Sequence, residues 1–336
     1  MIITQTPLRL SFLGGGTDFP EYYTAPGNLR GGSVVGVAID KYIYVIVKER
    51  FDHMIYINYS QKEIVDSVDQ IQHELVREAM RLTGVEQGVE ITTLADVPSE
   101  GSGLGSSSAV TVGLLQALWT YRGEIRTAEQ LAAEACRIEL DILGKPMGVQ
   151  DAYCSALGGI CQLAFGPRDP RRINWEKLDL PLERVSQLSN NLLLFYTHRT
   201  RKSETILGSQ RQNIPDRMRV LDALRDLAYE ARRCLEAGEL DEFGRLLHEG
   251  WLLKTQMADG ITDKGIDETY EMARAAGALG GKLAGAGGGG FLLLYCPLAA
   301  QDAVRACLNG AVRELPFRLE RDGTKVIFNV RRDPYF

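Results

Sequence analysis

The segment PSEGSGLGSSSA, residues 98–109, ends a strand-like stretch and opens into the small, apolar run AVTVGLLQALWTY. A glycine loop that feeds a helix start offers free backbone N–H groups and the positive end of the helix dipole, an arrangement suited to phosphate. Gly101, Gly103 and Gly105 would let the backbone approach an anion closely. Ser106, Ser107 and Ser108 can cap the helix, bind phosphate oxygens or offer a hydroxyl to Mg2+. A serine-capped flexible loop has the same composition, so the segment alone leaves both readings open. Serine hydrolase chemistry lacks its G-x-S-x-G elbow, and His53, His73, His198 and His248 carry no signature of a base.

A second run, GAGGGG at 285–290, fits G-x-G-x-x-G as a string but precedes the strand-like FLLLY, whereas a dinucleotide fingerprint follows a strand and opens a helix. A P-loop fails here as well. Ala276 stands where its first glycine would fall, and Leu283 follows Lys282 where Ser or Thr is required. With almost no side chain to exclude a ligand, the run suits the wall of a cleft. Near the N-terminus, PLRLSFLGGGTDFPEY sets Arg9 in a strand and Asp18 just past three glycines. The two could face a polyol or form a structural ion pair, and base rates favour the ion pair.

Elements that could position these groups are legible on both sides of the loop. GVAIDKYIYVIVK (36–48) and MIYINY are strand-like, IQHELVREAMRL has helical spacing, and GVEITTL is a further strand. TAEQLAAEACRIELDIL reads as one helix with Thr127 as N-cap, GVQDAYCSAL as a short helix and GGICQLAF as a strand. Pro and Arg cluster in GPRDPRRINWEKLDLPLERV, so the expected division is a domain over 1–185 and a second over 186–336. Beyond it come the strand NLLLFYT, three or four polar helices over 203–277, and a closing helix with two short strands. The order implies a two-domain α+β enzyme with a cleft between its halves.

Composition narrows the function classes. Hydrophobic residues make up 45% and charged residues 24% of 336, as in a soluble globular protein. A formal charge of -6 argues against nucleic acid as the main partner. The N-terminus has no signal-peptide pattern and no apolar run approaches the roughly 20 residues of a membrane span, so a cytoplasmic protein is expected. The cysteines at 136, 154, 161, 234, 296 and 307 form no CxxC and read as buried reduced thiols.

Taken in order, the three glycine segments resemble the three motifs of the GHMP kinase superfamily. Arg9, Gly14, Thr17 and Asp18 match the first motif. Pro98 with Gly103, Leu104, Gly105, Ser106 and Ser107 matches the second, at a spacing one residue longer, and Lys282 with 285–290 matches the third. The resemblance spans nearly the whole chain and implies an α+β fold of two GHMP domains, the first like domain 2 of ribosomal protein S5 and the second ferredoxin-like. It also implies ATP and Mg2+ as cofactors, with nucleotide held by Pro98, Gly101, Ser102, Gly103, Leu104, Gly105, Ser106, Ser107 and Ser108.

Further roles rest on the same resemblance. Asp151 would be the catalytic base with Arg9 beside it, and Ser107 and Glu139 would hold Mg2+, although Glu134 and Asp141 compete with Glu139 on chemistry alone. For Asp151 the plain alternative is a helix-start cap. Gly15, Gly16, Thr17, Asp18, Gly287 and Gly288 would face the acceptor. Gly15 and Gly16 replace the Glu and His of the galactokinase pattern, and GGGTD, RGGSV and GVQDAYCSALGG resemble the branch of D-glycero-D-manno-heptose 7-phosphate kinases. That branch phosphorylates an anomeric hydroxyl to give the 1,7-bisphosphate used for nucleotide-activated heptose. A 7-phosphate needs a cationic receptor, and Arg201 and Lys202 in THRTRKSE are the candidates, with Arg199 nearby. Expected partners are therefore a sugar phosphate and ATP, with no nucleic acid and no membrane. A homodimer is compatible with this reading, but oligomeric state is not legible.

Overall fold

The computed structural model describes residues 1–98, 101–166, 172–199 and 203–330. An eight-stranded sheet is built from β1 (Ile2–Leu13), β2 (Gly32–Glu49), β3 (Ile55–Asn58), β4 (Lys62–Val65), β5 (Val89–Ala95), β6 (Ile160–Phe165), β7 (Ile173–Lys177) and a late strand, Lys325–Asn329. A second sheet of four strands is formed by β8 (Leu192–Tyr196), β9 (Gly280–Leu283), β10 (Phe291–Tyr295) and β11 (Arg313–Glu314), in the order β11-β8-β10-β9. The late strand, β12, returns to the first sheet and pairs antiparallel with β1. The first sheet therefore draws one strand from beyond the expected boundary at 185.

β2 is longer than its sequence suggests because its two halves have different partners. Residues 32–37 pair with β6 and 43–49 with β5, while β1 runs along its other edge. Those pairings join residues far apart in the chain, so local propensity could not extend the strand to Gly32. β1 shifts register against β2 between Pro7 and Leu8. Such an irregularity re-aims the side chains that follow it, here Arg9 and Ser11.

The helices are α1 (Pro20–Tyr23), α2 (Glu74–Thr83), α3 (Ser106–Arg122), α4 (Ala128–Cys136), α5 (Gln150–Leu157), α6 (Leu182–Asn190), α7 (Ser203–Asn213), α8 (Met218–Ala237), α9 (Leu240–Lys254), α10 (Lys264–Ala275) and α11 (Gln301–Leu308). α3 is buried on most sides, as its small apolar sequence demands. Gly113 lets it lie close on the sheet: a methyl there would stand 2.9 Å from Thr6 Oγ1 and 3.1 Å from Val45 Cγ2. Thr4 seals the contact by donating its hydroxyl to the Gly113 carbonyl at 3.1 Å.

The long helix expected from Thr127 onward divides. Thr127 caps α4 in a reciprocal capping box with Gln130, but from Arg137 to Ile142 the chain widens into a π turn. π turns inside helices often mark functional sites, and this one carries Glu139. The thiols also depart from expectation, since Cys136 and Cys307 are only half-buried, while all six cysteines are free as expected. Among the described residues, no helix is long and apolar enough to cross a membrane.

Gly113→Leu should be destabilising although leucine is the better helix former, because overpacking against Thr6 and Val45 costs about 1–3 kcal/mol. Urea unfolding checks this prediction; a gain in stability would mean that α3 is free to lift from the sheet.

Candidate active site

Arg9 is the hub of the cleft. It is 3% exposed, and its guanidinium donates from Nε to Asp151 Oδ1 at 2.7 Å and from a terminal nitrogen to Oδ2 at 2.6 Å. The remaining nitrogen donates to the carbonyl of Gly103 at 2.6 Å, and the Arg9 backbone N–H donates to Leu104 O at 3.0 Å. Burial works against the Arg9 charge, and Asp151 more than offsets it, so its pKa is raised. Asp151 sits in the first turn of α5, whose N-cap is Val149, so it is free of the capping role. Arg9 and Asp18 do not form the ion pair weighed from sequence; Arg9 turns to Asp151 instead.

Gly101, Gly103 and Gly105 all take left-handed backbone conformations. Gly101, Ser102, Gly103, Gly105, Ser106 and Ser107 line a cavity of about 680 Å³. Leu104 and Ser108 face inward and are fully buried, and Pro98 is exposed at the end of β5, so these three stand apart from the cavity. None of the serines caps α3, because Gly105 occupies the N-cap position. Their hydroxyls are engaged otherwise: Ser107 donates to Glu139 Oε1 at 2.5 Å and Ser108 to Oε2 at 2.7 Å, while Ser106 pairs with Ser102 at 3.1 Å.

Of the three competing carboxylates, Glu139 alone reaches the loop. Glu134 accepts from Trp119 Nε1 at 2.7 Å, and Asp141 is exposed. Burial pushes the Glu139 pKa up, and the two serine hydroxyls with Lys145 pull against it. Lys145 spans Glu74 at 2.8 Å and Ser107 Oγ at 3.4 Å and lines the loop cavity. Sequence reading passed it over because a lone lysine outside any motif carries no local signal.

A second, narrower cavity of about 50 Å³ lies on the other side of Asp151, lined by Ser11, Gly15, Gly16, Asp18 and Gln150 among others. Arg9, Met147, Asp151, Leu207, Gly285 and Ala286 belong to both cavities. Asp18 is buried, accepts from Gly16 N at 3.0 Å, and has its pKa raised by desolvation and by Asp151. Gly148 must be glycine, since a methyl there would stand 1.9 Å from Asp18 Oδ2.

Three of the residues expected at the acceptor lie outside the cavity lining. Thr17 is fully buried and its hydroxyl bonds with the carbonyls of Gly14 and Ser33, so it holds the turn and does not face the cavity. From the third motif, Gly285 and Ala286 line the cleft, whereas Gly288 N donates to Ile261 O at 2.7 Å and Gly287 packs on the same residue. Arg201 and Lys202 lie outside the described residues, and Arg199 is paired with Asp263.

Two buried lysines complete the narrow cavity. Lys254 donates to Gln210 Oε1 at 2.6 Å and Lys282 to Phe12 O at 3.3 Å. Burial lowers Lys254 to about 8 despite the attraction of Asp18 and Asp151. Lys282 falls to about 7 through burial and the neighbouring charges of Lys254 and Arg9. Lys282 was visible in sequence only as a motif letter, and Lys254 is brought in from the far end of α9.

These lysine shifts carry a stability signature. Below its folded pKa Lys282 is charged in both states, so the cost of burying the charge is complete; as pH rises, the unfolded chain retains its proton longer and the cost fades. Lys282→Met is therefore predicted to raise the Tm, by a few degrees, most strongly at or below about pH 7, with the gain shrinking toward alkaline pH. Thermal scans of both proteins across that range check it, and a gain that grows with pH would contradict the assignment.

Residues 64–159 match the family model described as GHMP kinases N terminal domain, and residues 231–313 the one described as GHMP kinases C terminal. A D-glycero-alpha-D-manno-heptose 7-phosphate kinase of Campylobacter jejuni is 27% identical over 345 residues, covering 96% of this chain and 98% of that protein. A bifunctional fucokinase/GDP-fucose pyrophosphorylase of Arabidopsis thaliana is 27% identical across 94% of this chain, which amounts to 31% of that longer protein. Among solved structures, a D-glycero-D-manno-heptose 1-phosphate kinase from Bacteroides thetaiotaomicron superposes with a TM-score of 0.80 at 25% identity, covering 99% of this chain and 100% of that one. With both domain models matched and the α+β architecture shared, the chain belongs to the GHMP kinases, an ATP-using family of phosphotransferases.

Proposed function

We propose that this enzyme transfers the γ-phosphoryl group of ATP to the anomeric hydroxyl of a sugar phosphate, with D-glycero-D-manno-heptose 7-phosphate as acceptor and the 1,7-bisphosphate as product. The observation that carries the reading is the position of the Arg9–Asp151 pair, which is common to both cavities. Phosphates held by the loop on one side and a sugar hydroxyl on the other would meet at Asp151. Phosphoryl transfer through a loose transition state needs this kind of placement and charge neutralisation more than covalent chemistry.

Each residue then has a defined task. Asp151 orients the acceptor hydroxyl and takes its proton as the oxygen attacks, while the bidentate contact with Arg9 fixes the plane of the carboxylate. The Arg9 cation holds the Asp151 carboxylate in place and offsets charge at the transferring group. Backbone N–H groups at the start of α3 and the Lys145 ammonium suit the nucleotide phosphates. Asp18, with Gly15 and Gly16, faces the sugar.

Ser107 and Glu139 fit a Mg2+ ion by their chemistry: hard oxygen donors, one carboxylate only, beside a loop where phosphate oxygens and water would complete the shell. When bound, Mg2+ would neutralise charge on the nucleotide phosphates. Ser108 supports this set by holding the second oxygen of Glu139.

The likeness to the heptose 7-phosphate kinase over nearly both full chains supports the acceptor. The fucokinase likeness supports a second reading, a sugar-1-kinase with a fucose-type acceptor lacking phosphate. A panel of D-glycero-D-manno-heptose 7-phosphate, the free heptose, L-fucose and D-mannose with ATP and Mg2+, read by phosphorus NMR, separates them. The expected result is an anomeric phosphate on the heptose 7-phosphate; preferential turnover of L-fucose would replace it with the second reading. For Asp151→Asn, kcat is expected to fall by about 10²–10⁴ with nucleotide affinity retained. Near-normal turnover would remove Asp151 from proton transfer.

A further inference from the structure

Ser11 and Gln150 are two polar side chains in the narrow cavity that the mechanism leaves without a task. Ser11 Oγ and Gln150 Oε1 are both buried and without a hydrogen-bond partner, and both residues line the cavity. Buried polar atoms are nearly always paired, and an orphan of this kind costs about 1–3 kcal/mol. Gly15 lies between them. A methyl there would stand 3.2 Å from Ser11 Oγ and 3.7 Å from Gln150 Nε2, so the glycine keeps open the space that they border.

Their positions follow from the elements that set the reacting pair. Ser11 is two residues beyond Arg9 on β1, on the same face of the strand, with no register shift between them. Gln150 immediately precedes Asp151 at the start of α5, and its backbone N–H approaches Asp18 Oδ2 at 3.4 Å. Ser11 and Gln150 line the same narrow cavity as Asp151, so groups next to the hydroxyl that Asp151 activates would lie beside them. A serine hydroxyl donates or accepts, and a primary amide does both. The orphaned Gln150 Oε1 can only accept, so the set matches a neutral hydroxyl, which can donate to it, better than an ionised phosphate or an apolar carbon.

We propose that Ser11 and Gln150 are specificity-determining residues that bind the hydroxyl on the carbon adjacent to the phosphorylated one, the 2-hydroxyl of the acceptor. This rests on the sugar-1-kinase reading and adds to it which part of the sugar is recognised. A site built to hydrogen-bond a hydroxyl rejects an analogue that lacks it, because its own polar groups are then left unpaired.

The test compares kcat/KM for D-glycero-D-manno-heptose 7-phosphate and its 2-deoxy form, with L-fucose and 2-deoxy-L-fucose as a parallel pair, in the wild type, Ser11→Ala and Gln150→Met. Wild type should prefer the hydroxylated acceptor by at least about tenfold. Both variants should lose most of that preference, through a higher acceptor KM, with the KM for ATP unchanged. A preference that survives in the two variants overturns the proposal, whatever happens to absolute rates. If wild type turns over no sugar of the panel, the sugar-1-kinase reading fails separately, and the Tm of free Ser11→Ala then decides. An unchanged or higher Tm agrees with an orphaned hydroxyl kept for a ligand, whereas a lower Tm means that the hydroxyl serves the fold and overturns the assignment.

Discussion

The guanidinium of Arg9 binds Asp151 through two nitrogens and the loop carbonyl of Gly103 through the third, so one buried cation sets three parts of the cleft at once. β1 carries the cation, α5 carries the carboxylate, and the loop before α3 is drawn onto both. The loop has little choice of path, since a methyl at Gly105 would stand 2.9 Å from Arg9 Cγ and one at Gly103 would stand 2.3 Å from the Ala284 carbonyl. First-motif side chain, second-motif loop and third-motif backbone are thereby locked together. The glycines serve close approach of backbone.

Charge balance is the second constraint. Arg9, Lys254 and Lys282 face Asp18 and Asp151 in a volume with little room for water. Removing such groups from water is costly, and opposite charges recover only part of the loss. The depressed lysines and the raised Asp18 register what remains. Charge stored in this way is a common feature of active sites, where stability is given up so that groups stand ready for substrate. Glu139 repeats the pattern beneath the loop before α3, with two serine hydroxyls offsetting its burial.

Much of the site was legible because its parts are short and local. A glycine loop before a buried helix and an Arg in a strand just ahead of three glycines each leave a mark within a few residues, and Asp151 stands out once the family resemblance is seen. What stayed hidden was direction. The turn of the chain into α3 sends Ser106 and Ser107 to the cavity and Ser108 to the core, and no spacing rule distinguishes neighbours of the same type. Thr17 belongs to the same motif as Asp18, yet its hydroxyl is bound to the carbonyls of Gly14 and Ser33. In the third motif Gly285 and Ala286 line the cleft while Gly287 and Gly288 pack on Ile261 from another segment, a contact that a glycine run does not announce.

By itself the sequence determined the family, the order of elements and the identity of Arg9, Ser107, Glu139 and Asp151 as candidates, since motif spacing and hydrophobic period are properties of the chain read in order. Tertiary structure decided which of these groups touch. It turned Arg9 to Asp151 instead of Asp18, placed Glu139 and not Glu134 or Asp141 beneath the loop by a π turn, and brought Lys254 and Lys282 into the narrow cavity. It also left Ser11 and Gln150 buried without partners beside Gly15. These outcomes depend on burial and on contacts between segments more than a hundred residues apart, such as β1 with α5, and such contacts leave no periodic trace in a sequence.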